Sequence, residues 1–174
     1  MVEHCDGPVC TLCLRAGVDS ASHRRRTLCR SRSEDRSVRV WDLRGKGRSV
    51  RYIGGMFDAE VSCVAYHPTS QHRLFASSGR TVYEFDMRRP DVLLRDATVT
   101  VPESAADDIN HLILDSTGDF LVLADDAGCL HVMDTEEAVV VQTITAHESL
   151  AACVAFSPGG ELVSGGYDAT IRVR

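Results

Sequence analysis

The sequence predicts an all-β chain built of repeated four-stranded units set side by side as the blades of a propeller. The first observation behind this is self-similarity. Val61-Ser-Cys-Val-Ala-Tyr-His-Pro68, Ile109-Asn-His-Leu-Ile-Leu-Asp-Ser116 and Ala151-Ala-Cys-Val-Ala-Phe-Ser-Pro158 match in register, with Val9-Cys-Thr-Leu-Cys-Leu14 as an earlier copy. The second is their spacing of 52, 48 and 42 residues, because recurring periods of this size mark solenoids and propellers. The third is that each copy leads into further short apolar runs, and about four strands per ~45 residues make one blade. A generic β-sandwich also has short strands at regular intervals. It does not need the same residue types at the same phase of a long period.

The first run of each unit is β-prone and ends in turn-forming residues such as His67-Pro68 and Ser157-Pro158. The second is rich in small residues: Leu74-Phe-Ala-Ser-Ser78, Phe120-Leu-Val-Leu-Ala124 and Leu162-Val-Ser-Gly-Gly166. The third alternates apolar and polar residues, as in Ser37-Val-Arg-Val-Trp-Asp42, Thr81-Val-Tyr-Glu-Phe-Asp86 and Cys129-Leu-His-Val-Met-Asp134. Period-2 alternation sends successive side chains to opposite faces of a strand. Ala138-Val-Val-Val-Gln-Thr-Ile-Thr145 supplies a fourth run. The units expected are residues 4–53, 58–101, 107–146 and 147–174, the last incomplete. A blade cannot bury its apolar faces alone, and an open arc exposes a sheet edge. The chain is therefore expected to be part of a longer one.

Trp41-Asp42 closes an alternating strand, and Phe85-Asp86 and Met133-Asp134 stand at the same phase. This pattern resembles the WD40 repeat family. The resemblance implies a β-propeller, usually of seven blades, held by a hydrogen-bonded set of His, Ser/Thr, Asp and Trp in each repeat. His4, Asp35 and Trp41 fit that set in the first unit, with Ser31 or Ser33 as the hydroxyl. His147, Ser164 and Asp168 fit it in the fourth, where Arg174 replaces Trp. The second unit has Gly79 at the Asp position and Phe85 for Trp. The third has Ala127 after Asp125 and Asp126, and Met133 for Trp. The middle units are therefore expected to rest on apolar packing more than on polar networks.

Net charge is −6, which argues against broad affinity for nucleic acid, since that requires clustered cations. Residues 1–58 carry 12 Lys/Arg against 7 Asp/Glu, while residues 59–174 carry 7 against 18. Cys5, Cys10, Cys13, Cys29, Cys63, Cys129 and Cys153 are odd in number, and the start of the chain lacks the apolar stretch of a secretory signal. Free thiols in a reducing compartment, cytoplasmic and/or nuclear, are expected. No apolar run approaches the ~20 residues that span a bilayer, so no membrane partner is expected.

Candidate sites are few. Trp41-Asp-Leu-Arg44 and Phe85-Asp-Met-Arg88 place an Asp and an Arg at the end of a third strand. In the family this pattern marks many receptors that dock on the adaptor of cullin-4 ubiquitin ligases. The resemblance thus implies an adaptor contact through Asp42, Arg44, Asp86 and Arg88. A planar guanidinium suits that role because it pairs bidentately with carboxylates; an Arg capping a surface strand is the plainer reading. Cys10 and Cys13 have zinc-ligand spacing near His4, Cys5, His23 and Cys29. An odd separation in a strand turns them to opposite faces, so no metal is expected. His23-Arg-Arg-Arg26 reads as a solvated loop, lacking interleaved aromatics for base stacking. Residues 15–34 fit a second strand poorly; a divergent strand with a basic loop and an error in the gene model both account for them. Asp107-Asp108 and Asp125-Asp126 border strands, where Asp forms turns. There is no phosphate-binding loop, His-Glu-x-x-His or Gly-x-Ser-x-Gly. A non-enzymatic, cofactor-free scaffold for other proteins is expected, specifically a cullin-4 substrate receptor; the alternative is a propeller that reads histone tails or phosphopeptides.

Overall fold

The computed structural model describes residues 35–41, 49–70, 72–89, 93–97 and 108–174. Among them are thirteen strands and no helix. A two-stranded sheet holds β1 (Ser37–Trp41) and β2 (Ser49–Gly54). The second sheet runs β3 (Val61–Tyr66), β4 (Arg73–Ser78), β5 (Thr81–Asp86) and β6 (Leu93–Ala97) in spatial as well as chain order. The third repeats this with β7 (Ile109–Leu114), β8 (Phe120–Asp125), β9 (Cys129–Asp134) and β10 (Val139–Thr145). The fourth holds β11 (Ala151–Phe156), β12 (Leu162–Gly166) and β13 (Ile171–Val173). Every pairing is antiparallel. The all-β expectation holds, and the short runs picked out by alternation coincide with strands.

The sheets pack face to face in chain order, and period-2 alternation makes this possible. In β8, Leu121 and Leu123 join one apolar cluster with Phe75 and Val82 of the second sheet. Val122 and Ala124, on the other face, join a cluster with Ala151 and Val154 of the fourth. In β4 and β5, Leu74, Ala76, Tyr83 and Phe85 face Val38, Val40 and Ile53 of the first sheet. A central blade is thus greasy on both sides, and its neighbours remove both sides from water. Burial of each large side chain contributes roughly 1.5–3 kcal/mol.

One irregularity recurs. The register of the first two strands slips between Val61 and Cys63, between Ile109 and His111, and between Ala151 and Cys153. Each slip is a bulge, which adds a residue and increases local twist. It also places residues three apart on one face: Val61 with Val64, Ile109 with Leu112, Ala151 with Val154. First strands adjoin one another, β3 against β7 and β7 against β11. The thiol of Cys63 donates to the Leu112 carbonyl at 3.3 Å across that contact. First strands touching in series, with later strands stepping away from them, is the radial order of a propeller.

The last strands lie outermost. Val139 and Val141 of β10 are exposed, and so are Ile171 and Val173 of β13. Leu123→Ala should cost about 2–5 kcal/mol, as large-to-small changes in packed cores do. Val141→Ala should stay within about 0.5 kcal/mol. Urea denaturation of the two variants checks the difference.

Candidate functional site

Antiparallel order gives the sheets two chemically different ends. At one end lie the turns between second and third strands and the segments that enter each first strand. At the other lie the turns joining first to second and third to fourth strands.

The first end carries buried polar networks. His147, just before β11, donates through Nδ1 to Asp168 at 3.0 Å and accepts through Nε2 from the Ser164 hydroxyl at 2.9 Å. Asp168 sits in the β12–β13 turn and also accepts from the Thr170 hydroxyl at 2.8 Å and the Thr170 amide at 3.1 Å. Burial opposes its ionisation, yet these bonds, with those from His147 and the Glu148 amide, hold its carboxyl well below the usual range. Asp35 repeats part of this geometry, accepting from the Ser37 hydroxyl two residues on. The residue after each Asp, Arg36 or Ala169, adopts a positive φ of 52° or 59°.

The third sheet corrects the expectation that middle units lean on apolar packing. His131 on β9, 1% exposed, donates through Nε2 to Asp125 at 2.9 Å, and its Nδ1 meets the Thr143 hydroxyl at 3.0 Å. The other Asp125 oxygen accepts from the Cys129 amide at 2.7 Å. Asp125 therefore forms the turn and is also buried, 1% exposed, against an imidazole. The polar group has moved to the middle of the third strand, a phase at which the repeat pattern does not look for it. Gly128 closes this turn with φ +80°, and an added Cβ would collide with the Ser149 and His147 carbonyls. Outside these networks the exposed charge at this end is mostly acidic, with Asp58, Glu60, Asp108, Asp126 and Glu148 against Arg36 and Arg80.

The opposite end holds the Asp-x-Arg pattern. Asp86 closes β5 and stands opposite Arg73 in the register. Its Oδ1 accepts the Arg88 amide at 2.9 Å and the Arg88 Nε–H at 2.9 Å, and its Oδ2 accepts from Nη2. The Arg88 side chain, 67% exposed, is thus held in one pose by a carboxylate that is only 15% exposed. The guanidinium, helped by the backbone amide, pulls the Asp86 pKa down from 3.8 to about 2. Beside them opens a cleft of about 410 Å³ lined by Ser70, His72, Arg73, Glu84, Asp86, Arg88 and Glu136. Its floor is Arg73, whose Nε donates to Glu84 at 2.6 Å and whose Nη1 donates to Glu136 at 2.5 Å. Nη2 reaches the Thr135 carbonyl at 3.2 Å. Glu136 and Thr135 belong to the β9–β10 turn, so this arginine ties the second sheet to the third.

Of the residues singled out by sequence, His147, Ser164 and Asp168 are brought together, as are Asp86 and Arg88. Asp35 is described without the partners proposed for it. The side chain of Trp41 and all of His4, Ser31, Ser33, Asp42 and Arg44 lie outside the described residues. So do the candidate zinc set and the basic stretch at 23–26. No cluster of metal-ligating side chains occurs among the described residues. Arg73, Glu84 and Glu136 were missed, because 63 positions separate Arg73 from Glu136.

Residues 138–174 match the family described as WD domain, G-beta repeat. The β-propeller domain of Myceliophteria thermophila Cps50 (Swd1) superposes with a TM-score of 0.66 at 21% identity, covering 80% of this chain and 46% of that one. The WD40 beta propeller domain of Doa1 gives 0.68 at 22% identity, with 81% and 44% covered. The serial sheets thus have the β-propeller fold of these two domains, and residues 138–174 carry the WD-repeat match. The chain is similar to WD repeat-containing protein 53 homolog of Dictyostelium discoideum, at 27% identity over 154 residues. That alignment takes in 87% of this chain but 41% of the relative, so the chain spans about two fifths of the curated relative's length.

Two measurements check the site. His131→Leu leaves the Asp125 carboxylate buried without its imidazole and should cost about 3–5 kcal/mol in urea denaturation. Adding Asp125→Leu should recover part of that loss, the rest reflecting the lost bond from the Cys129 amide to the Asp125 carboxylate. For Asp86, folding lowers the pKa, so its pairing favours the folded state above the unfolded value of 3.8 and is lost as pH falls through about 2. In Arg88→Ala, carboxyl NMR titration should find the Asp86 pKa raised toward 3.8 yet still below it, because the backbone amide still donates.

Proposed function

We propose that the chain works as a non-enzymatic scaffold for other proteins, and that its particular role is substrate receptor of a cullin-4 ubiquitin ligase, docked on the ligase adaptor. WD40 propellers generally bind other proteins, and repeated blades present many loops on one rigid frame. The observation that supports the finer role is the pose of Arg88. Two of its three guanidinium nitrogens donate to Asp86, and its side chain is 67% exposed. An arginine already held in position loses less conformational entropy when it meets a partner's carboxylate. Arg44, at the same phase of the preceding unit, is the expected second contact.

The acidic end supports a second reading, a module that binds a Lys/Arg-rich peptide such as a histone tail. Asp58, Glu60, Asp108, Asp126 and Glu148 favour a cationic ligand there and disfavour a phosphopeptide. The two readings use opposite ends and separate cleanly. Co-precipitation with the purified adaptor should be strong for the wild type, weakened by Arg88→Ala and abolished when Arg44→Ala is added. Unchanged recovery of the double variant would remove both arginines from docking. Basic-peptide binding that survives both changes would favour the acidic end.

A further inference from the structure

We propose that the cleft between the second and third sheets is a two-part docking pocket for a protein segment with neighbouring acidic and basic side chains. The acidic one meets Arg88 and the basic one meets Glu136. This deepens the docking reading of Arg88 and rests on it.

The charges in the cleft carry the inference. Its floor is internally balanced: Arg73, with a side chain 20% exposed, is held between Glu84, 7% exposed, and Glu136. Nothing entering from outside can use the buried Glu84 without breaking that arrangement, which would leave a charge desolvated and unpaired. Beside it, burial and then the Arg73 charge lower the His67 pKa, and its Nδ1 accepts the Ser70 amide at 3.0 Å. What faces outward is a pair of lips of opposite sign. Arg88, 67% exposed, stands on the second sheet, and Glu136, 70% exposed, stands on the third.

Two arginines against three carboxylates line the cleft. A wholly acidic segment would gain Arg88 but oppose Asp86, Glu84 and Glu136, and a wholly basic one would oppose both arginines. A segment that brings both signs matches both lips, and like-charge juxtaposition penalises the others. A volume of about 410 Å³ suits one or two side chains of an inserted segment, not a folded domain. Because the lips belong to different blades, the pocket exists only while Arg73 and the shared apolar cluster hold the two sheets together. Gly118 contributes to that closeness: the His67 ring of the second sheet lies where a Cβ at this position would stand.

Affinity selection of a random short-peptide display library on the full chain tests this without the adaptor. Peptides enriched on the wild type should pair an acidic with a basic residue. Arg88→Glu should lose the acidic preference alone, and Glu136→Lys chiefly the basic preference, with Arg73 still bonded to the third sheet through the Thr135 carbonyl. Each change should weaken a selected peptide about tenfold by titration. Because Glu136→Lys sets a cation beside Arg73, Glu136→Gln serves as the variant that keeps side-chain volume, with a smaller loss of the same preference. Uniformly acidic peptides, an unaltered preference in both Glu136 variants, or no enrichment would overturn the two-part pocket. Peptide preferences that follow the charges while adaptor recovery ignores Arg88 would reject the ligase reading and keep the pocket.

Discussion

The structure depends on apolar contact between successive sheets. Leu121 and Leu123 point to one neighbour and Val122 and Ala124 to the other, so four consecutive residues serve two interfaces. A sheet of this kind has no polar face to offer water and gains little by folding alone. Its stability is shared with the blades beside it, as expected for a repeat whose energetics are dominated by nearest neighbours. The bulge near the start of each first strand belongs to the same constraint. By bringing residues three apart onto one face, it lets β3, β7 and β11 present apolar groups to adjoining blades while the strands twist.

Polar groups occur where this packing tolerates them, and the two ends use them differently. At the end holding His147 and Asp125, the groups are buried and their bonds close on one another. Such a network is stabilising only when every member is satisfied. It stiffens the turns and offers little to a partner; the exposed carboxylates around it are what a ligand would meet. At the other end the charges are graded outward. Glu84 is buried against the partly covered Arg73, Asp86 is mostly covered, and Arg88 and Glu136 are open to solvent.

Strand positions were legible because alternation is local: Thr81–Asp86 and Cys129–Asp134 follow directly from it. The set of His147, Ser164 and Asp168 was legible only through the family resemblance, because Gly79 and Ala127 stand at its Asp position in the preceding units. The bulge was present in the sequence as an apolar residue recurring three positions on, in Val61/Val64, Ile109/Leu112 and Ala151/Val154. A strict period-2 reading passes over it. His131 was hidden for another reason. On an alternating strand a histidine reads as an ordinary polar position, and only the β8–β9 register brings it under the Asp125 turn. The Arg73 clamp had no local signal, since it joins the start of one unit's second strand to a late turn of the next.

The cleft's origin explains why a docking site should arise there. A guanidinium on a flexible stem pays a conformational cost when a partner immobilises it. Arg88 has met much of that cost within its own blade, because three bonds to Asp86 and the fixed end of β5 set its direction before any partner arrives. The Arg73 bridge does the same for the distance between the two lips, linking the blade that carries Arg88 to the blade that carries Glu136. A site spread over two blades thereby becomes as rigid as one built on a single strand. Its specificity comes from the sign pattern, since neighbouring turns diverge in sequence while the frame beneath them stays the same. The apolar interface that holds the sheets together is therefore also what makes two unrelated turns into one binding surface.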